Sequence, residues 1–322
     1  VSYLGKKGKI TELLKSLKDL SLEEKKTIGA QINSIRDSVD ALIKEKLLEI
    51  RKNEINTKLL NESIDISFPP PTSLDSKVHP ISKTFDEVIR IFGSMGYSVA
   101  EGPDIENDFY NFSALNIPED HPAREMQDTF YIEDQDEDNK PFVLRTHTSP
   151  VQIRTMLSQE PPIKIIAPGR TYRCDSDATH SPMFHQVEGL FISKTANMSD
   201  LKGTLIEFCK QFFEVQDLKV RFRPSYFPFT EPSAEMDIAY HVKNNSLHIG
   251  EGDKWLEILG CGMVNPVVLE NCNIDNSIYQ GFAFGMGLDR ITMLKHGLTD
   301  IRAFFNGNLN WINQNGFGLG DY

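Results

Sequence analysis

The first 60 residues contain no proline, although the chain as a whole has 17. Proline breaks helix interiors, so its absence leaves this stretch free to run as uninterrupted helix. Within it Ile28, Ile32, Ile35, Val39 and Leu42 recur at alternating steps of four and three, the spacing of a heptad seam. Ile10, Leu13, Leu14 and Leu17 form a shorter apolar stripe, and Ser21 with Glu24 has the spacing of a capping box. The pattern predicts a short helix and a long one joined near residues 19–21, an antiparallel helical hairpin over residues 1–63. Two helices bury little core, so the hairpin is expected to project as an arm or to lean on a partner.

Charge follows the same division. The chain carries 34 Lys and Arg against 46 Asp and Glu, a net charge of −12, yet residues 1–60 hold 13 basic against 9 acidic side chains. An acidic body is no general nucleic-acid binder, so polyanion contact is expected only at the basic segment. A helical dimerisation element with a solvated charged face would read the same way.

After residue 63 comes Phe68-Pro69-Pro70-Pro71, a stiff extended stretch that places a linker at 64–79. The remainder, 80–322, opens with an amphipathic helix (Thr84, Phe85, Val88, Ile89, Phe92, Met95). It continues as short alternating segments punctuated by Gly and Pro, without a β-helix-β rhythm. The expected fold is α+β on an antiparallel sheet. The four cysteines, at 174, 209, 261 and 272, are too widely spaced for a zinc finger and read as reduced thiols. No apolar run approaches the roughly 18 residues needed to span a bilayer. Because the sequence begins at Val1 without methionine, it is compatible with a fragment, and a missing signal peptide weighs less than usual.

Two segments carry chemistry. Gly169 to Asp175 and Phe184 to Phe191 read as a hairpin with a long polar loop. Alternation puts Phe184, Gln186 and Glu188 on one face and turns Val187 and Phe191 to a core. An aromatic, an amide and a carboxylate in a row suit the floor of a polar site, and a solvent-facing sheet surface would look alike. Gly281 to Leu294 is a glycine-rich strand running into a helix, with Arg290 in its first turn and Gly297 as its stop. It lacks the third glycine and the β-helix-β context of a dinucleotide fingerprint. Arg290 can lie over an aromatic base or fork onto phosphate, or be an ordinary surface arginine.

The hairpin with Arg173 and the strand-helix with Arg290 resemble motifs 2 and 3 of class II aminoacyl-tRNA synthetases. Gly96-Tyr97-Ser98-Val99 through Gly102-Pro103 looks like motif 1. A closer resemblance is to the alpha-subunit family of bacterial phenylalanyl-tRNA synthetases, carried by five stretches in the family's order. These are Tyr3 to Gly8, His121-Pro122-Ala123-Arg124 with Asp128 to Tyr131, Arg145 to Pro150, Phe227-Pro228-Phe229-Thr230-Glu231-Pro232, and Gly281 to Arg290.

That resemblance implies a class II catalytic domain with a coiled-coil tRNA-binding arm. It implies activation of L-phenylalanine by ATP, then transfer to the terminal ribose of tRNA-Phe at the 2′-OH. Arg173 would bridge amino-acid carboxylate and α-phosphate. Adenine would lie between Phe184 and Arg290, with His180 near the phosphates. His147, Ser149, Gln186 and Glu188 would accept from the ammonium, joined by Tyr131 and Asp175. Phe227 and Phe229, at i and i+2 on one strand face, would hold the substrate ring edge to face, and Ala283 would close the pocket at the para carbon; plain core packing is the ordinary fate of such a pair. Glu231, on the same face, would hold Mg2+. The implied partner is a beta subunit in an α2β2 heterotetramer, and the implied location cytoplasmic.

Three places depart from the family pattern: a long connection at Ile238 to Lys254, Asn265 where histidine is common, and the end from Asn315 to Tyr322. A relative charging another amino acid such as phosphoserine, or a class II-like regulatory or binding module, are the rival readings. Phenylalanines at 227 and 229 oppose the first, and the presence of both Arg173 and Arg290 opposes the second.

Overall fold

The computed structural model describes residues 3–5, 8–17, 22–62, 76–125, 128–137, 139–175, 181–243 and 246–318. The expected capping box at Ser21, the polyproline stretch at 69–71 and His180 lie outside the described residues. The chain divides into two compact units, Val1–Ser73 and Leu74–Tyr322.

The first unit contains α1 (Lys9–Ser16) and α2 (Leu22–Asn61), which are in contact; Ile10 and Ile32 are both buried. The 40-residue length of α2 is what a proline-free run permits. Its seam is buried at Ile32 and half-buried at Val39, whereas Ile35 is 56% exposed and Leu42 64%.

The second unit opens with β1 (Lys77–Val78), α3 (Pro80–Ser94), β2 (Ser98–Val99), β3 (Ile105–Glu106), α4 (Asp108–Asn111), β4 (Tyr131–Gln135), β5 (Pro141–Leu144) and α5 (Ser149–Ser158). There follow β6 (Ile163–Tyr172), β7 (Met183–Ser193), α6 (Met198–Phe213), β8 (Val220–Phe227), β9 (Thr230–Lys243), β10 (Ser246–Ile249) and β11 (Lys254–Val264). The end is α7 (Pro266–Asn271), β12 (Gln280–Gly287), α8 (Leu288–His296), α9 (Leu309–Asn315) and β13 (Phe317–Gly318). Lys77–Val78, within the stretch read as linker, pairs with Phe317–Gly318 in a small antiparallel ribbon.

The main sheet runs β10-β9-β11-β12-β7-β6-β2, with β8 also paired to β9. Its ladders are antiparallel apart from the short parallel match of β2 to β6. β3, β5 and β4 form a second, smaller sheet. The long connection at 238–254 is the end of β9 together with β10, a hairpin extension of the sheet. Asn265 caps α7 by accepting from the Val267 N–H, which gives the departure at that position a structural job.

Alternation along β7 and β12 sorts their side chains into two layers. Val187, Phe191, Phe282, Phe284 and Met286 meet α3, α6 and α8 in one core. There Phe92 of α3 stacks between Phe208 and Phe284, with centroids 4.7 and 5.1 Å away. Burying each such ring is worth about 1.5–3 kcal/mol. A side chain on Gly189 would run into the Phe284 ring, so this layer requires glycine there. Leu190, Ile192 and Ala283 point the other way, to α5, α7 and Phe112. The candidate site opens on that second face.

Candidate active site

A cavity of about 600 Å³ lies on the second face of the sheet. That is an ordinary size for a small-molecule site. One end is apolar, with Phe112, Leu115, Met156, Phe227, Phe229 and Ala283 in its wall; the other presents His147, Ser149, Gln152, Arg173, Gln186 and Glu188.

The polar end is built by two elements. β7 delivers Gln186 and Glu188 from alternate positions, as the sequence pattern requires, and α5 delivers Ser149 and Gln152 from one helical face. Both helix residues donate to Oε2 of Glu188, Ser149 Oγ at 2.6 Å and Gln152 Nε2 at 2.6 Å. Gln152 is absent from the sequence-based candidates, yet its position three residues after Ser149 puts it on the same side of a helix. Burial pushes the Glu188 carboxyl up to about 7, against its hydrogen bonds from Ser149, the Thr148 backbone and Gln152 and against the Arg173 cation. Burial, aided by the Arg173 and Arg145 cations, pushes His147 down to about 3, so its imidazole is neutral. Both His147 ring nitrogens and Gln186 Oε1 are buried without a hydrogen-bond partner among the described residues. Buried polar atoms are normally satisfied, and a neutral imidazole offers one N–H and one acceptor nitrogen, so the open acceptors of Gln186 and His147 call for a ligand with N–H groups to donate.

The apolar end depends on small residues in register. Gly260 of β11 stands opposite Gly285 of β12, and Gly262 opposite Ala283. A Cβ at Gly260 would come within 2.9 Å of the Phe227 ring, and one at Gly285 within 3.1 Å of the Glu188 side chain. The glycines thus seat the aromatic wall on one strand and the polar pair on its neighbour. Phe227 and Phe229 face each other, centroids 5.8 Å apart and 10° from parallel.

Their geometry differs from the expected continuous strand. β8 ends at Phe227 and β9 begins at Thr230, so Pro228 and Phe229 form the turn of a hairpin. The alternation therefore does not carry through to Glu231, which is exposed and outside the cavity lining, while Thr230 lines it. The acids that do line it besides Glu188 are Asp128, Asp175, Glu235 and Glu257. Tyr131 also stands apart: its hydroxyl donates to the Arg124 carbonyl at 2.6 Å. Arg124, paired with Asp108 and bonded to the Ile117 carbonyl at 2.6 Å, secures the loop that brings Ile117, His121 and Ala123 to the cavity.

Arg173 lines the cavity, with its guanidinium carbon 5.1 Å from the centre of the Phe184 ring. Arg290, in the first turn of α8, is exposed and outside the lining, and the cation over the Phe184 ring is Arg173. Among the described residues no group of three or more metal-ligating side chains gathers, and no helix is long and apolar enough to cross a membrane.

Comparison with known proteins gives two family matches in chain order. The tRNA synthetases class II core domain (F) matches residues 63–315, and the aminoacyl tRNA synthetase class II N-terminal domain matches residues 1–59. The chain is similar to the phenylalanine–tRNA ligase alpha subunit of Beijerinckia indica, 56% identical over 319 residues, which covers 98% of this chain and 88% of that protein. The proteins of the same name from Rhizobium rhizogenes and Caulobacter vibrioides are 56% and 55% identical, with the same coverage of each chain.

Proposed function

The chain belongs to the phenylalanine–tRNA ligase alpha subunit family of class II synthetases, and from that premise we propose that the cavity activates L-phenylalanine with ATP for transfer to tRNA-Phe. The observation that carries the assignment is one cavity whose polar end sets acceptors, Glu188, Gln186 Oε1 and one His147 nitrogen, beside the Arg173 cation, and whose other end is aromatic and apolar. A zwitterion with an aromatic side chain satisfies both. Its ammonium donates to Glu188, Gln186 and neutral His147, with Ser149 holding Glu188, and its ring enters between Phe227, Phe229 and Ala283.

The carboxylate then faces Arg173, whose charge draws it toward the α-phosphorus of ATP. Carboxylate oxygen attacks there, the bond to the bridging oxygen breaks, and pyrophosphate leaves. Catalysis of this step is alignment and neutralisation of phosphate charge. Phe184 and Arg290 hold adenine once Arg173 turns from the ring to the phosphate, and His180 joins the phosphate contacts. Mg2+ takes few carboxylates and keeps phosphate and water oxygens. Glu231, exposed beside the cavity-lining Thr230, fits as a single carboxylate of that kind. When bound, the ion neutralises phosphate charge.

Residues 1–63 serve as the tRNA-contacting arm, 64–79 as linker and 80–322 as the catalytic domain. A beta subunit completes an α2β2 assembly in the cytoplasm. The test is phenylalanine-dependent exchange of pyrophosphate into ATP by the chain together with its beta subunit. Exchange that depends on phenylalanine and not on phosphoserine supports the assignment, and exchange indifferent to phenylalanine overturns it.

A further inference from the structure

The strand ladder between β7 and β12 ends at the pair Gln186 and Gly287. At the next residue of β7 the partner on the β12 side is no longer a strand. The His185 backbone N–H donates to Asp289 Oδ2 at 2.5 Å, and the His185 ring Nδ1 lies 3.1 Å from Asp289 Oδ1. A carboxylate only accepts, so Nδ1 carries the hydrogen of that second bond. The Asp289 side chain is 2% exposed. Its two oxygens therefore act as a prosthetic last rung, joining the first turn of α8 to β7 where the main chains have parted.

The grip is braced from behind. The His185 ring meets Phe85 of α3 edge to face, centroids 5.4 Å apart and planes at 88°. It also lies over Phe305, 6.0 Å away and 19° from parallel. A ring held on two sides and bonded at one nitrogen has little freedom to rotate, so the carboxylate is fixed in turn.

What this grip joins is specific. Phe184 immediately precedes His185, and Arg290 immediately follows Asp289. We infer that Asp289 is a positioning residue for nucleotide binding, setting the separation and angle between Phe184 and Arg290 through its double bond to His185. The inference rests on the reading that these two residues hold adenine. Asp289 itself is buried and does not line the cavity. Its influence should fall on the nucleotide and leave phenylalanine alone, because Ser149 is carried by α5 and Gln186 and Glu188 by the intact ladder of β7.

The experiment uses the alpha and beta subunits together and measures KM for ATP and for phenylalanine in pyrophosphate exchange for D289A, D289N, R290A and the double variant D289A/R290A. D289A should raise KM for ATP tenfold or more and change KM for phenylalanine less than twofold. D289N, which keeps an oxygen for the His185 N–H, should fall between D289A and the parent. In the R290A background D289A should add less than twofold, since the residue it positions is gone. Equal rises in both KM values, or full additivity of the two substitutions, would overturn the positioning role. If R290A leaves KM for ATP unchanged, it is the adenine reading that fails. If R290A raises it and neither Asp289 variant does, the adenine reading stands and the inference fails. Should D289A not fold, the D289N and D289N/R290A pair answers the same question.

Discussion

The two ends of the cavity are held open by different means. At the polar end, position is set by side chains: Ser149 and Gln152 on one helix grip Glu188 on a strand. At the apolar end it is set by main chain, since Gly260 leaves room for the Phe227 ring against the backbone and Ala283 adds only a methyl. The first arrangement responds to protonation and to loss of single hydrogen bonds. The second is indifferent to pH and sensitive to one methyl group. A zwitterionic aromatic substrate is read by both at once, charge at one end and length at the other.

The largest expected effect tests whether the polar end does chemistry as well as binding. Arg173→Ala should lower the rate of pyrophosphate exchange by about 10²–10³ or more, the scale of removing one charge-stabilising donor, with an unchanged circular dichroism spectrum. A near-parental rate would take Arg173 out of the reaction. Next in size, Glu188→Gln should raise KM for phenylalanine roughly tenfold to a hundredfold, the worth of a hydrogen bond to a charged group.

The same residue gives the pH dependence. With its carboxyl raised to about 7, Glu188 in the free protein is increasingly protonated below that pH and loses its acceptor for the ammonium. KM for phenylalanine should therefore rise as pH falls from 7 toward 5, and this limb should vanish in Glu188→Gln. His147, pushed down to about 3, adds nothing in that window. Stability runs the opposite way. A carboxyl whose folded value exceeds its unfolded one binds protons more tightly when folded, so its contribution is lost as pH climbs from about 4.5 to 7. Denaturant titrations at pH 5 and pH 8 should show that loss in the parent and a smaller one in Glu188→Gln.

At the apolar end, Ala283→Gly should raise activation of p-chlorophenylalanine relative to phenylalanine about tenfold, the scale of one methylene in a pocket. An unchanged ratio measured at pH 7 and at pH 8 would mean that length is read elsewhere. The smallest effect on chemistry belongs to the arm. Deleting residues 1–60 should leave exchange within twofold and weaken tRNA charging, most at low salt and less as salt rises, because the arm's phosphate contacts are themselves screened. Charging unaffected at every salt concentration would return the arm to a purely structural role.

How much of this was legible beforehand follows the physics of each element. The face shared by Phe184, Gln186 and Glu188 came from a two-residue period, and β7 is long enough to keep it. The same rule applied to Phe227, Phe229 and Glu231 failed at Glu231, because the chain reverses at Pro228–Phe229 and alternation cannot cross a turn. Proline at the centre of that run was the available sign. The Gln152 contact needed only helical spacing from Ser149. The Gly260–Gly285 match and the Asp289 bond to His185 join residues 25 and 104 positions apart, and no local pattern encodes which strands become neighbours.

The glycine pair next to Ala283 also limits how this site can be altered. Where a pocket is floored by side chains, trimming or enlarging them gives a graded series of depths. Here the floor beneath Ala283's methyl is peptide plane, fixed by ladders on both sides of β12. One carbon can be removed, and after that nothing remains to trim. Variants seeking still larger rings would have to widen the walls at Phe227, Phe229 or Met156, and would trade away the grip on phenylalanine as they did so.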